Sequence, residues 1–421
     1  MIPRIKGTQD FLDLNLFNFL VDAFKNQAHL YSFSEVKTPI IEHLSLFQRS
    51  LGQETEVVSK EMFVIESRHE NDDERMCLRP EMTAPIVRAF NDGSVQTTPW
   101  RVFSWGPCFR YERPQKGRYR QFHQITMEII GSDAVAEDIQ LLTMLHDFFR
   151  TYLHLNAFEL HINYLGCSDD RAAYVGMLKV FLDGLGEALC SQCIVRKERN
   201  ILRVFDCKNS GCQALYQDAP RLTDMLCECC SAEWTRLQNT LTVLHIPYVH
   251  RTTLVRGLDY YNKTVFEFVG KNLGSQDAFC GGGRYNQLVK QLGARQDYPS
   301  IGAAIGIERL MLVMQAEHGE NVGKADSLVY VIISMSLAQH ADALKIAHNV
   351  RLHDISIDVL FEGSVKSMFR KADKLGADLV IVLGEDEQKE GVVVVKDMAS
   401  HTEEKVKQSD LVHYLEEFEH E

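Results

Sequence analysis

Phe109-Arg-Tyr-Glu-Arg-Pro-Gln-Lys-Gly-Arg-Tyr-Arg-Gln-Phe-His-Gln-Ile-Thr-Met-Glu128 is the stretch around which the rest of the chain is arranged. It reads as a strand, a basic loop and a return strand. The loop carries Arg113, Lys116, Arg118 and Arg120, with Pro114 and Gly117 to turn the chain. So many cations in one short loop suit a polyanion, either a nucleotide phosphate or a nucleic-acid backbone. On the return strand Phe122, Gln124, Thr126 and Glu128 recur at a period of two and share one face. His123, Ile125, Met127 and Ile129 share the other, which is the face expected to be buried. Arg110 and Glu112 share a face on the way in. One sheet face then presents a cation, an aromatic, an amide and two carboxylates. A charged surface hairpin is the bland alternative, and it leaves the polar stripe on an apolar strand unexplained.

The chain has 421 residues, enough for two or three domains with cores of their own. With 45% hydrophobic and 24% charged residues it has an ordinary globular composition. Its net charge is -13, from 45 Lys plus Arg against 58 Asp plus Glu. That balance predicts no general affinity for nucleic acid, so any polyanion site is local. Met1 to Gly7 has charges but no apolar run, and no signal peptide is expected there. No apolar run approaches the ~18 residues of a membrane span. The eleven cysteines are expected as cytoplasmic thiols or metal ligands and not as a disulfide framework.

Along the chain, apolar spacing predicts a helix over 17–31, an extended segment over 35–42, and strands over 62–66 and 76–81 flanking a charged turn, His69 to Glu74. A helix over 83–91, a strand over 100–111 and a helix over 137–153 follow. From 168 to 249 the segment is helix-rich and holds seven of the eleven cysteines, which suggests an insertion into the first domain. Residues 253–269 read as a strand, 279–285 as a tight glycine-rich turn, and 300–306 as a small-residue strand feeding a helix over 307–317. A polar linker spans 318–326. Beyond it strands and helices alternate, predicting a small α/β domain with a largely parallel sheet.

Several groups could carry chemistry. Glu81 and Thr83 end a strand on one side, suited to an ammonium group, or Thr83 caps the next helix. Leu254-Val-Arg-Gly-Leu-Asp-Tyr-Tyr261 sets Arg256 and Asp259 beside Tyr260 and Tyr261, to hold phosphate and a polar ligand, or simply packs as a tyrosine-rich strand. Gly281-Gly-Gly-Arg-Tyr285 lets backbone approach a ligand closely but lacks the Walker pattern. Arg309 falls in the first turn of a helix, where a cation opposes the helix dipole and invites an anion; a chance surface arginine is the alternative. Cys207, Cys212, Cys227 and Cys230 have spacing close to that of a four-thiolate Zn2+ site, with free thiols as the alternative.

Taken together these stretches resemble class II aminoacyl-tRNA synthetases, and among them the histidyl-tRNA synthetase family. The segment around Thr38-Pro39 resembles motif 1, the dimerisation motif; Phe109 to Gln124 resembles motif 2; Gly306-Ile-Glu-Arg309 resembles motif 3. Leu254 to Tyr261 and Gly282 to Tyr285 resemble the two histidine-specific signatures. The resemblance covers nearly the whole chain. It implies an α+β catalytic domain over 1–320 with a mostly antiparallel sheet, the helix-rich insertion at 168–249, and a C-terminal α/β anticodon-binding domain over 327–421.

What it implies chemically is histidine–tRNA ligation: L-histidine and ATP give histidyl-adenylate and pyrophosphate, and histidine then passes to tRNA(His). Arg110 would hold the α-phosphate and the histidine carboxylate, Arg309 the γ-phosphate, and Arg256 the α-phosphate during attack. Glu112 and Arg118 would line the nucleotide site, with Phe122 stacked on adenine. Glu81, Thr83 and Gln124 would bind the α-amino end. Glu128 and Tyr261 would read the imidazole, with Tyr260 and Tyr285 beside them. Arg113 and Gln115 would face the tRNA acceptor end. Mg2+ and a homodimer are implied as well. Asn286 and Met82 depart from the family pattern, and Met82 is expected to narrow the pocket. The rival reading is the histidine-binding regulatory subunit of ATP phosphoribosyltransferase, a paralogue that resembles the catalytic core but usually lacks the anticodon-binding domain.

Overall fold

The long alternating run that ends at Glu128 forms the middle of a sheet. A computed structural model describes residues 2–52, 55, 57–66, 75–95, 97–258, 260–271, 278–323 and 328–420. The expected turn from His69 to Glu74 lies outside the described residues, as does Asp259. The chain divides after Gly323 into two compact units.

In the first unit the strands are β1 (Ser34–Glu35), β2 (Ile41–His43), β3 (Val64–Ile65), β4 (Met76–Leu78), β5 (Trp100–Phe109), β6 (Gln121–Ile130), β7 (Phe158–Tyr164), β8 (Val249–His250), β9 (Asn262–Gly270), β10 (Ala278–Arg284) and β11 (Ser300–Gly306). Eight of them form one sheet in the order β1-β5-β6-β11-β10-β9-β7-β8. Its central pairings are antiparallel, and only the short end strands β1 and β8 pair in parallel. β2, β4 and β3 make a small second sheet. Ile125, Met127 and Ile129 of β6 are buried, together with Leu20, Val21 and Phe24 of the helix Asn15–Leu30. That layer backs the sheet and leaves the Phe122–Glu128 face toward the other side.

Two readings of the sequence change here. Residues 254–258, 260 and 261 form a loop, not a strand. The Asn163 side chain takes up the carbonyls of Thr252 and Leu254, and Leu254 N–H bonds back to Arg251, so the backbone groups a ladder needs are used locally. Phe279 to Tyr285 is not a turn: Ala278–Arg284 is a central strand. Its glycines serve close packing, since a Cβ on Gly282 would collide with the Gly302 carbonyl and Ala303 of β11. β7 had no sequence expectation.

The insertion is helical, with the helices Ser168–Leu185, Ser191–Arg199, Ser210–Leu215 and Glu228–Val243 and several 3-10 turns. Arg284 is 2% exposed and clamps Asp138 with further bonds to the carbonyls of Ser132 and Ala134, so this signature arginine is structural.

The second unit contains β12 (Tyr330–Ser334), β13 (Ile357–Leu360), β14 (Leu379–Leu383), β15 (Val392–Asp397) and β16 (Glu403–Lys407), in the order β13-β12-β14-β15-β16. β13, β12 and β14 are parallel, but β15 and β16 add antiparallel pairings, so the sheet is mixed and not largely parallel. The helices His340–Arg351, Val365–Lys374 and Leu411–His420 accompany it. Among the described residues no helix is long and apolar enough to cross a membrane.

Candidate active site

The exposed side of the large sheet floors a cavity of about 550 Å3, a size that suits a nucleotide-sized ligand. β6 contributes Phe122, Gln124 and Thr126, β11 contributes Gly302, Ala304 and Gly306, and β10 contributes Cys280 and Gly281. In the ladder Gly302 faces Glu128, Ala304 faces Thr126, and Gly306 faces Gln124. A Cβ on Gly302 would run into the Glu128 carboxylate, and one on Gly281 would stop 2.7 Å from the Arg256 guanidinium. The small residues therefore let functional side chains lie flat on the strands.

Glu128 is fully buried at one end of this floor. Thr83 Oγ1 donates to its Oε1 at 2.6 Å, and the Tyr285 hydroxyl donates to Oε2. Burial pushes the carboxyl up to about 8, with the two donors opposing the rise and the Glu81 charge adding to it. The Tyr260 ring lies 4.5 Å from that of Tyr261 and 5.7 Å from that of Tyr285. Burial raises all three phenols, so they remain O–H donors. Hydroxyls and one carboxyl in a ring-lined chamber fit a small flat ligand that has both a donor and an acceptor.

Glu81, and not Thr83, caps the helix Thr83–Ala89. Its two oxygens accept the N–H groups of Thr83 at 2.7 Å and Ala84 at 3.0 Å. Burial raises the Glu81 carboxyl against those bonds and the Arg110 charge. Thr83 is thereby free to hold Glu128. Met82 is buried in the apolar cluster with Ala84 and Ile86 and does not line the cavity, so it does not narrow it.

Six guanidinium groups line the same cavity, among them Arg110, Arg118, Arg256 and Arg309. Arg110 Nε donates to the Pro80 carbonyl at 2.9 Å, and its guanidinium sits 5.3 Å from the Phe122 ring centre. Glu112 pairs with Arg118 and lies 3.9 Å from Arg110. Arg256 pairs with Glu267. Burial works against the Arg256 charge, but Glu267 and the two tyrosines hold its pKa above the ordinary value. Arg309, early in the helix Ile307–His318, donates to the carbonyls of Gly117 at 3.1 Å and Ala278 at 2.7 Å. Burial, then Arg118 and Arg110 beside it, lower Arg309 to about 10. An arginine depressed by its own neighbours is relieved by a polyanion. At the tip of the loop, which bends at Gly117 with φ 72°, Arg113 and Gln115 are exposed and outside the cavity lining.

The structure thus gathers Glu81, Thr83, Arg110, Glu112, Arg118, Phe122, Gln124, Arg256, Tyr260, Tyr261, Tyr285 and Arg309 around one space, with Glu128 directly behind Thr83 and Tyr285. The sequence reading missed Glu267, although a lone acid inside the apolar run Thr264-Val-Phe-Glu-Phe-Val269 was a usable signal. It also missed Arg196, Arg203, Asp206 and Lys208, which line the cavity from the insertion.

The expected metal set of Cys207, Cys212, Cys227 and Cys230 is not brought together. Cys207 and Cys212 converge with Cys190 and Cys193, while Cys227 and Cys230 converge with Cys167 and Asp170. The reason is local: Cys227 opens the helix Glu228–Val243 and its N–H is bonded to Asp170, which ties it to the start of the helix Ser168–Leu185. Cys190 N–H instead meets Cys212 Sγ at 3.4 Å.

Comparison with known proteins gives a consistent result. The family described as Histidyl-tRNA synthetase matches residues 16–310, and that described as Anticodon binding domain matches residues 329–418. A histidine–tRNA ligase of Clostridioides difficile (strain 630) is 38% identical over 417 residues, covering 98% of each chain. One from Aquifex aeolicus (strain VF5) is 40% identical over 415 residues, covering 97% of this chain and all of the other. The solved structure of apo S. aureus histidyl-tRNA synthetase superposes with a TM-score of 0.80 at 30% identity, covering 98% of this chain and 99% of that one.

Proposed function

The chain belongs to the histidyl-tRNA synthetase family, and from that premise we propose how its cavity works as the active site of a histidine–tRNA ligase. The observation that carries the reading is the polarity of the cavity: arginines from four parts of the chain line it, and the buried Glu128–Thr83–Tyr285 group closes it. A triphosphate and an imidazole fit those two chemistries.

In activation, a histidine carboxylate oxygen attacks the α-phosphorus of ATP, a new P–O bond forms, and the bond to pyrophosphate breaks. No covalent enzyme group is needed, so positioning and charge neutralisation dominate. Arg110 and Arg256 hold the carboxylate and α-phosphate, and Arg309 takes the γ-phosphate. Glu112 and Arg118 line the nucleotide, and Phe122 stacks on adenine with Arg110 over its ring. Glu81, Thr83 and Gln124 receive the ammonium end. Glu128 and Tyr261 read the imidazole, with Tyr260 and Tyr285 framing it. A site whose buried polar groups only one ring satisfies rejects analogues strongly. A terminal ribose hydroxyl of tRNA(His), guided by Arg113 and Gln115, then attacks the acyl carbon and AMP leaves.

Among the described residues no three carboxylates of the cavity converge. Glu112 and Glu267, carboxylates within the cavity, would be the residues to hold a Mg2+ brought with ATP, whose charge would offset that of the phosphates. Residues 1–320 are assigned as the catalytic domain, with the insertion at 168–249, and 327–421 as the anticodon-binding domain, acting in the cytoplasm. A homodimer is supported by apolar surface around Thr38-Pro39: Ile40, Ile41, Val64 and Met76 are all exposed on or beside the small sheet. The decisive experiment is ATP–pyrophosphate exchange with each of the twenty amino acids, followed by tRNA charging. Exchange with histidine alone is expected. Protein that binds histidine yet performs neither reaction would overturn the reading in favour of a regulatory subunit.

A further inference from the structure

Residues 189–226 of the insertion form only short helices and 3-10 turns, with no strand among them. Leu189, Ile201, Leu202 and Val204 anchor it in an apolar cluster of the first unit, but no strand ladder fixes its turns. Within this segment the sulfurs of Cys190, Cys193, Cys207 and Cys212 all lie within 4.8 Å of one another. Cys190 and Cys207 Sγ are 3.7 Å apart. A disulfide would need ~2.05 Å, whereas four thiolates around Zn2+ at ~2.3 Å stand about 3.8 Å apart on a tetrahedron's edges. Cys193, Cys207 and Cys212 are buried, and Cys190 is partly so. Backbone N–H groups point at the sulfurs: Cys190 N meets Cys212 Sγ and Asn209 N meets Cys207 Sγ, each at 3.4 Å. Asn209 fixes that turn by accepting the N–H groups of Gly211 and Cys212. Such donors favour the thiolate form and orient ligands.

We propose that Cys190, Cys193, Cys207 and Cys212 form a tetrathiolate zinc site that holds Arg196, Arg203 and Lys208 at the active-site cavity. The C-x2-C and C-x4-C pairs bracket Arg196 and Arg203, and Lys208 follows Cys207 directly. All three cations line the cavity, and Arg203 donates to the Gly257 carbonyl beside Arg256. A metal in the cysteine cluster therefore sets the positions of cations that face the nucleotide. Buried thiols alone would not require four sulfurs to converge, because a cysteine packs as a small apolar residue. The second group, Cys167, Asp170, Cys227 and Cys230, has another explanation. Both Asp170 oxygens already accept backbone N–H groups, from Cys167 at 3.2 Å and Cys227 at 2.8 Å, joining two helix starts. It serves as the internal control.

The test is elemental analysis of full-length protein purified without chelator, beside a Cys190→Ser/Cys207→Ser variant and a Cys227→Ser variant. About one zinc per chain is expected in the wild type and in Cys227→Ser, and at least ~10-fold less in the double variant. Because the double variant can fail to fold, wild-type protein is also stripped and reloaded with Co2+, with the strong visible absorption of tetrahedral thiolate coordination expected. Iron in place of zinc, no metal with no such absorption, or zinc lost only from Cys227→Ser overturns the site. The positioning role rests on the ligase reading: stripping is expected to raise KM for ATP about 10-fold, with recovery on reloading with zinc. An unchanged KM overturns that role. Metal content is read without any activity, so a failed site and a failed ligase reading are distinguishable.

Discussion

Glu128 has no water to ionise into, and its two hydroxyl partners only partly offset that burial. With its pKa at about 8, well above the usual carboxylate range, the folded chain keeps a proton that the unfolded chain has lost. Glu128's contribution to stability is therefore complete below the ordinary carboxylate pKa and is lost as pH rises through about 8. Glu128→Gln does not titrate. Its stability relative to wild type, from urea unfolding, is expected to rise by up to a few kcal/mol between about pH 6 and about pH 9. An equal difference at both pH values would contradict this. With Glu128 reading the imidazole as proposed, the same variant is expected to lower kcat/KM for histidine by ~100-fold with KM for ATP unchanged, because Gln has a different donor pattern. Arg256→Ala is expected to cut the rate of adenylate formation by ~100-fold or more while histidine affinity falls little. Single-turnover kinetics would show equal losses in both if Arg256 served only binding. At this scale the sequence was informative where residues alternate, as from Phe122 to Glu128. It was silent where contact depends on distant segments: nothing in the local pattern joins Arg256 to Glu267 or turns Met82 away from the cavity.

β10 and β11 show why a glycine run can be strand and not turn. In isolation Gly281-Gly-Gly suggests a bend, because glycine lacks a side chain to pack and weakens a strand. Here a missing Cβ is what each position requires: Gly281 lies under the Arg256 guanidinium, Gly282 against β11, and Gly302 against Glu128. Gly302→Ala is expected to displace the Glu128 carboxyl, raising KM for histidine ~100-fold and costing ~1–3 kcal/mol of stability through overpacking. Gly281→Ala is expected to act mainly on the rate, since the neighbour at 2.7 Å is the end of a flexible arginine. Gly176→Ala, in a helix with nothing within 4 Å of the added Cβ, is the contrast and should gain ~0.5–1 kcal/mol. Exchange kinetics and urea midpoints on the three variants check this, and a stability loss for Gly176→Ala as large as that for Gly302→Ala would sink the steric account. The cysteine pairing failed as an expectation for a related reason. Spacing along the chain showed that pairs exist, but which pairs meet was decided by Cys227 opening one helix and being tied by Asp170 to another.

The whole molecule carries a net charge of -13 yet has a ligase function that needs a polyanion. Acids dominate the total, but the cavity gathers six arginines and Lys208, offset in part by carboxylates such as Glu112 and Glu267. Binding of tRNA should then depend on salt more steeply than binding of histidine, since each neutralised phosphate releases counterions. The two-unit organisation was legible because a polar stretch precedes a clean alternation of strands and helices; the antiparallel additions β15 and β16 were not, because their pairing is set across the sheet. Each unit has apolar clusters of its own. Leu20, Phe24, Ile125 and Met127 belong to one in the first unit, and Ile332, Ala347, Ile381 and Leu415 to one in the second. A chain ending at Gly323 keeps every cavity residue, because the last of them is Arg309. It is expected to retain histidine-dependent ATP–pyrophosphate exchange within ~10-fold and to lose at least ~100-fold in kcat/KM for charging tRNA(His), because distant binding contacts on the tRNA are spent on the transfer step. Both assays are run on the same preparation at about 50 and about 200 mM salt. If the second unit serves anticodon recognition, its removal also flattens the salt dependence of tRNA KM, and full charging by the shortened chain would remove that assignment.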